Sequence, residues 1–149
     1  GSGEWRGIDA SFFLQGVGKR DGHVWGSARH AFITQSAYPQ EVHRDRWTPE
    51  NTDASYPRLT FQQEHNVRLS TWWVDDASYV RLKNLQVGYT LGERLTQSLP
   101  VDRMRIYISG DNLFTLTDYF YAYDPEAPGR QGGYYPQVRT FSIGVDANF

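Results

Sequence analysis

The chain has 149 residues, a formal net charge of −2 at pH 7 and no cysteine. The near-neutral charge provides no basic stripe for nucleic acid, and the absence of cysteine excludes disulfides, thiolate metal sites and a cysteine nucleophile. No run of about 18 apolar residues is present, so no transmembrane helix is expected. Aromatic residues make up 15% of the chain although hydrophobic residues total only 39%, which is typical of a lectin-like surface or of the aromatic girdles of a membrane β-barrel.

The first strand is predicted over residues 5–18. Its apolar residues fall mainly on one parity, namely Ile8, Ala10, Phe12 and Leu14. An alternation with a period of two residues predicts a strand. Residues 19–77, in contrast, have little regular pattern and are interrupted by three prolines. A connection of this length is unusual in a compact soluble domain but ordinary for an extracellular loop of an outer-membrane barrel.

The second strand is predicted over residues 78–91, and its alternation changes phase in the middle. Val80 and Leu82 have one parity, whereas the apolar residues from Leu85 onward have the other. We expect a β-bulge at Lys83–Asn84, because one inserted residue would return both apolar sets to the same face of the sheet.

Two further strands are predicted over residues 103–114 and 138–149. In the last strand, five apolar residues alternate with small or polar ones, and this apolar set is Phe141, Ile143, Val145, Ala147 and Phe149. The pattern matches a strand with one face toward lipid and the other toward a lumen. By the same reasoning, Arg105 and Asp146 are expected to face the lumen.

The connections between the four strands are in turn long, short and long, over residues 19–77, 92–102 and 115–137. Each strand is long enough to cross a bilayer, which takes about 9–11 residues. With the C-terminus on the periplasmic side, both long connections lie outside and the short one lies inside. The pattern predicts an all-β fold, an antiparallel transmembrane β-barrel segment with long extracellular loops. A soluble antiparallel domain with one wet face explains the alternation equally well.

Several sequence blocks follow one another between residues 72 and 149 with little interruption. The longest, residues 72–91, contains Asp-Asp-Ala-Ser-Tyr-Val-Arg-Leu-Lys-Asn-Leu; the others are Arg105–Thr115, Tyr123–Glu126, Tyr135–Phe141 and Gly144–Phe149. Each block is weak alone, but in this order and spacing they resemble the C-terminal region of the SusC/RagA family of TonB-dependent outer-membrane transporters. Residues 46–51, 56–59 and 7–16 resemble the long loop and an earlier strand of that family.

The resemblance implies a location in the bacterial outer membrane, where the four strands would be the last of a barrel of about 22. It implies a plug domain inside the barrel, energy supplied through TonB, and a SusD-like surface lipoprotein as a lid over a transporter of glycan or peptide nutrients. The plug, the TonB-binding segment and the earlier strands are not in this sequence. The expected partners are therefore the remainder of the same barrel and its plug, the SusD-like lipoprotein, TonB through regions outside this chain, and outer-membrane lipid.

Two alternatives stay open beside this interpretation. One is a soluble β-rich carbohydrate-binding module, whose apolar parity would be buried in a closed core instead of facing lipid. The other is the end of a passive porin or adhesin barrel, which would lack a plug. No catalytic triad, carboxylate pair or phosphate-binding loop is recognisable, and the four histidines lack a spacing typical of zinc. No enzyme activity, cofactor or metal is expected.

The candidate site residues are aromatic. Phe149, on the lipid-facing parity, resembles the terminal aromatic of an outer-membrane assembly signal. Aromatic rings in the long connections suit a stacking platform for a ligand or a docking surface for the lid protein, and these candidates are Trp47, Tyr119, Tyr121, Tyr123, Tyr134 and Tyr135. Their alternative role is loop packing and an aromatic girdle. Trp72 and Trp73 are expected in an interfacial belt, and Asp75 and Asp76 as solvated loop carboxylates.

Overall fold

The computed structural model describes residues 1–34, 37–61, 65–92, 95, 100–127 and 137–149. The chain divides into two compact units. The sheet unit comprises Gly1–Gly18, Tyr79–Thr117 and Gln137–Phe149, and the loop unit comprises Lys19–Ser78 and Asp118–Pro136. In the described ranges, no helix is long and apolar enough to cross a membrane.

The sheet unit is a five-stranded sheet in which every neighbouring pair is antiparallel. Its strands, in their order across the sheet, are β1 (Ser2–Trp5), β2 (Ile8–Val17), β5 (Tyr79–Thr90), β6 (Arg103–Thr117) and β7 (Thr140–Asn148). The loop unit contains a two-stranded sheet of β3 (Asp21–His23) and β4 (Val74–Asp76) and two 3-10 turns, Glu41–Arg44 and Thr71–Trp73. The prediction of an all-β, antiparallel fold is confirmed.

The sheet contains one strand more than the sequence pattern predicts. The first predicted strand, residues 5–18, is divided at Arg6 and Gly7, whose φ angles are 49° and 82°. Two consecutive residues with positive φ are typical of the tight two-residue loop of a β-hairpin. Here that loop folds β1 back on β2, and Trp5 pairs with Ile8. The residues of β1 carry no apolar alternation, which is why the pattern did not reveal it.

The β-bulge predicted at Lys83–Asn84 is confirmed. The register of β5 against β2 passes from Asn84 opposite Phe13 directly to Leu82 opposite Leu14. Against β6, the same step passes from Asp111 to Phe114. Because of the bulge, the apolar residues of β5 before and after it point to the same face of the sheet.

As a result, the sheet has two faces of opposite character. One face, called the outer face, carries apolar side chains on strands β2, β5, β6 and β7. They include Ile8, Phe12, Val80, Val87, Ile106, Ile108, Leu116, Phe141, Ile143 and Val145. Several of these are widely exposed, for example Ile143 at 77%. The inner face carries mainly polar residues, including Asp9, Ser11, Gln86, Arg105, Tyr107, Ser109, Ser142 and Asp146, with Phe13 as an apolar exception.

An ion-pair cluster spans four strands on the inner face. Arg105 on β6 donates from Nε and Nη2 to the carboxylate of Asp9 on β2, at 2.8 and 2.5 Å. It also donates from Nη1 to Asp146 on β7, at 3.1 Å. Gly88 of the intervening strand β5 makes this crossing possible, because a Cβ atom there would collide with the guanidinium group. Arg105 and Asp146 thus share the polar face, as the alternation predicts.

We predict that Gly88→Val destabilises the sheet unit. The added side chain would displace Arg105 from Asp9 and overpack the inner face, which typically costs about 1–3 kcal/mol. Gly3→Val in β1 is the matched control, since a Cβ at Gly3 meets no atom within 4 Å. The measurement is the unfolding temperature of the complete receptor in detergent. Equal temperatures for the two variants would contradict the role given to Gly88.

Candidate functional site

The loop unit has a small core to which both long connections contribute. Its buried members are Val24, Ala77, Tyr119 and Phe120, with Ala28, Val42 and Tyr123 packed against them. Polar bonds tie the second connection to the first: Arg20 donates to the carbonyl of Pro125 at 2.8 Å, and the Tyr123 hydroxyl donates to the carbonyl of Trp25 at 3.1 Å. The unit therefore has a tertiary structure of its own.

Arg29 is at the centre of this packing. Its guanidinium donates two hydrogen bonds to the carboxylate of Asp75, at 2.7 and 3.1 Å. The same group lies over three aromatic rings, 4.8 Å from the centroid of Phe120, 5.5 Å from Tyr56 and 5.6 Å from Trp73. A bidentate carboxylate pair combined with ring stacking is specific to arginine, because lysine lacks the planar fork. Asp75, expected to be solvated, is thus a structural ion-pair partner.

Two buried histidines flank Arg29. His43 accepts a hydrogen bond at Nδ1 from the backbone N–H of Gln40, at 2.8 Å, so Nε2 carries the proton that it donates to the carbonyl of Arg29, at 3.0 Å. His30 packs edge-on against Trp73, with ring centroids 4.2 Å apart. Burial, reinforced by the positive charge of Arg29, lowers the pKa of His30 to about 4. His30 is therefore neutral at pH 7.

A cavity of about 480 Å³ opens in the loop unit. We call it the Trp47 cavity, and its lining includes Trp47, Tyr56, Arg58, Asn66, Trp72 and Trp73. Its volume lies within the range of small-molecule sites, about 300–1,000 Å³. The lining combines aromatic faces with a few polar groups, which is the usual composition of a binding site.

Hydrogen bonds hold the walls of this cavity in place. Trp73 donates from its indole nitrogen to the carbonyl of Asn66 at 2.8 Å, and the Asn66 side chain donates to the carbonyl of Arg58 at 3.0 Å. Next in the chain to the lining residues Ala54 and Tyr56, Ser55 donates from its hydroxyl and its backbone N–H to the carboxylate of Asp45, at 2.6 and 3.0 Å. These bonds, with the Ser55 hydroxyl as the largest cause, lower the pKa of Asp45. The cavity is therefore preorganised.

The candidate aromatic residues have different positions. Trp47 lines the Trp47 cavity. Tyr119 is buried in the core of the loop unit, and Tyr123 packs against that core, so for both of them the packing role fits better than a ligand-facing one. Tyr121 is 70% exposed.

Tyr134 and Tyr135 lie outside the described residues. Phe149 follows the end of β7 and is exposed. Trp73, expected in an interfacial belt, is buried in the loop unit, whereas Trp72 is exposed on the cavity wall.

Sequence reasoning missed the residues that build the site, above all Arg29, Tyr56 and Arg58. Arg29 and its partner Asp75 are 46 positions apart in irregular sequence, where no periodicity connects them. The available signal was the position of Asp75 within the 72–91 block. Within the described part of the chain, no group of three or more His, Asp or Glu side chains could hold a metal ion.

We predict that His30 makes the loop unit sensitive to acid. Its pKa is lowered from 6.5 to about 4, so its contribution to stability is complete above pH 6.5 and is lost as the pH falls from 6.5 to about 4. The loss should amount to about 2–3 kcal/mol at most. Thermal unfolding of the complete receptor, followed by tryptophan fluorescence between pH 7 and 4.5, should show a smaller decline for His30→Gln. His65→Gln, at an exposed histidine, is the control and should decline like the unsubstituted protein.

No family model matches the sequence. Two curated relatives from Formosa agariphila are similar to it. TonB-dependent receptor P3 is 40% identical over 116 residues, 69% of this chain, and TonB-dependent receptor P26 is 27% identical over 165 aligned positions, 97% of this chain. The chain spans only 11% and 16% of the length of these two relatives.

Solved structures of RagAB are similar in fold. The RagAB peptide transporter superposes with a TM-score of 0.79 and 23% identity, over 99% of this chain and 16% of that one. The RagAB peptide importer in its open-open state gives a TM-score of 0.77 at the same identity and coverage. The sequence relatives, the fold and the two-faced sheet agree with one another. The chain is a part of a TonB-dependent receptor of the bacterial outer membrane, with the fold seen in the RagAB transporters.

Proposed function

We propose that the sheet unit is part of the barrel wall of a TonB-dependent transporter that imports oligomeric nutrients, either glycans or peptides. The observation that carries the proposal is the division of the sheet into an apolar and a polar face. A membrane barrel requires such a division, because its strands contact lipid on one side and an aqueous lumen on the other. The ion-pair cluster of Asp9, Arg105 and Asp146 then faces the lumen, where charge is tolerated.

The exposed apolar face argues against a soluble carbohydrate-binding module. Side chains such as Leu116, Phe141 and Ile143 are between 65% and 77% exposed. In water, a contiguous apolar surface of this kind promotes association, and a soluble module would bury it in a closed core. In the outer membrane the same residues contact acyl chains.

The order of the connections supports an extracellular role for the loop unit. The pairs Val17–Tyr79 and Tyr79–Thr117 lie at one end of the sheet, and both long connections start there. The tight turn at Arg6–Gly7 and the connection after Thr90 lie at the other end. Since outer-membrane barrels have short periplasmic turns and long extracellular loops, the loop unit belongs to the outer mouth of the transporter.

The complete transporter requires parts beyond this chain. Strands β1 and β7 each have one neighbour in the sheet, and an open sheet edge is not tolerated within a membrane, so further strands of a barrel of about 22 pair with them. A plug inside the barrel and TonB supply gating and energy, and a SusD-like lipoprotein forms the lid. The similarity to RagAB, a peptide importer, supports such an assembly. Phe149 continues the outward parity of β7 and keeps its predicted role as an assembly signal.

We predict opposite effects of arginine on the two faces of β7. Ile143→Arg should reduce the amount of folded receptor in the outer membrane, because an arginine in the hydrocarbon layer costs about 2–4 kcal/mol. Ser142→Arg, one residue earlier on the inner face, is the matched control and should leave that amount unchanged. The measurement is the heat-modifiable fraction in outer-membrane preparations. A larger loss from Ser142→Arg would show that the two faces have been assigned the wrong way round.

We also predict that uptake depends on both TonB and the lid protein. Cells with the complete receptor should import labelled oligosaccharides or peptides. Deletion of tonB should reduce import by at least about tenfold, because the plug then stays closed. Deletion of the partner lipoprotein should reduce import to a similar extent, because the mouth of the transporter then has no lid. Import rates of the two label classes identify the nutrient class. Import that persists without TonB would instead support a passive porin.

A further inference from the structure

Two tryptophan side chains that line the Trp47 cavity, Trp47 and Trp72, are exposed and not packed into the core of the loop unit. Trp73 is buried against His30 and Arg29, so it belongs to the wall. Trp72 is 55% exposed and Trp47 is 38% exposed, and both line the cavity. Indole faces left open in a concave site are suited to stacking on a flat, partly apolar ring.

The charge of the lining has one sign. Arg58 is a positively charged lining side chain, and none of the lining residues in the described part of the wall is a carboxylate. Arg58 has no ion pair with any described carboxylate, in contrast to Arg29 and Arg44. A guanidinium beside aromatic faces favours an anionic group such as a carboxylate or a sulfate.

The cavity walls have few free backbone N–H and C=O groups with which a peptide backbone could pair. A bound peptide in extended form pairs with free N–H and C=O groups along a strand edge. In this cavity, the N–H of Trp47 and the carbonyl of Tyr56 bond to each other, and the carbonyl of Ser70 accepts from the N–H of Trp73. The carbonyls of Arg58 and Asn66 are also occupied. Side chains, not a strand edge, therefore provide the recognition surface.

We propose that the Trp47 cavity binds one or two units of an acidic oligosaccharide. Trp47 and Trp72 stack on the apolar faces of the sugar rings, and Arg58 pairs with a carboxylate or sulfate. The hydroxyls of Thr52 and Ser70, which also line the cavity, bond to sugar hydroxyls. This inference rests on the proposed import function and specifies its substrate as an acidic glycan.

The test is isothermal titration calorimetry on the complete receptor in detergent. The four probes are tetragalacturonate, a sulfated κ-carrageenan tetrasaccharide, neutral cellotetraose and tetraglutamate. We expect at least one of the two acidic saccharides to bind and to be weakened about tenfold by Trp72→Ala and by Arg58→Gln. The loss in Arg58→Gln should be accompanied by a weaker dependence on salt.

Matched controls are available in the same unit. Tyr38→Ala removes an exposed ring and Arg68→Gln an exposed charge, and neither residue lines the cavity. Both should bind like the unsubstituted receptor. The proposal is overturned if neither acidic saccharide binds, if the controls weaken binding as much as the cavity variants, or if tetraglutamate binds more tightly with the same dependence on Trp72 and Arg58.

Failure of this proposal is distinguishable from failure of the import function. TonB-dependent uptake by a receptor that binds none of the acidic saccharides overturns the cavity assignment alone. A receptor that titrates as expected but imports without TonB overturns the transport mechanism and leaves the binding site intact.

Discussion

The sheet unit depends on one constraint, that strands β2, β5, β6 and β7 keep nearly all their apolar side chains on a single face from one end to the other. A one-residue slip would turn the whole apolar set of a strand inward. The β-bulge on β5 is the point where this constraint is hardest to meet, because β2 runs past it without a shift. On β6, the step from Asp111 to Phe114 also skips two positions, and Asn112 there adopts a φ of 51°. The irregularities on the two strands together preserve the parity of all three.

The loop unit follows a different principle. Among its described residues it has two short strands, β3 and β4, so most of the described backbone is not paired in a ladder. Polar side chains hold its backbone in place by bonding to the backbone or to each other. Arg29 is at the centre, paired with Asp75, while His43 and Asp45 bond to nearby backbone groups. A sheet ordered by alternation and a loop unit ordered by polar contacts fit the proposal of a wall in the membrane and loops that meet a ligand.

The sequence predicted the parts of the fold that are periodic. The facing of β7, the bulge near Lys83 and the common face of Arg105 and Asp146 all follow from alternation with a period of two. Alternation could not reveal β1, whose residues Ser-Gly-Glu-Trp have no apolar alternation. Nor could it reveal the bidentate ion pair between Arg29 and Asp75. It also could not separate buried Tyr119 from exposed Tyr121, because in an irregular segment burial depends on contacts with distant residues, such as the bond from Arg20 to Pro125, 105 positions away.

Trp73 connects the core of the loop unit to its cavity. His30 and Arg29 pack against its ring, and the residue also forms part of the cavity wall. Its indole nitrogen fixes Asn66, which in turn fixes the backbone of Arg58. A change in the Arg29–Asp75 pair or in the charge of His30 can therefore reach the backbone of Arg58, the residue proposed to bind an anion, through Trp73 and Asn66. Residues that never touch a ligand can for this reason alter its affinity, and acid that charges His30 should loosen the cavity before it disturbs the sheet.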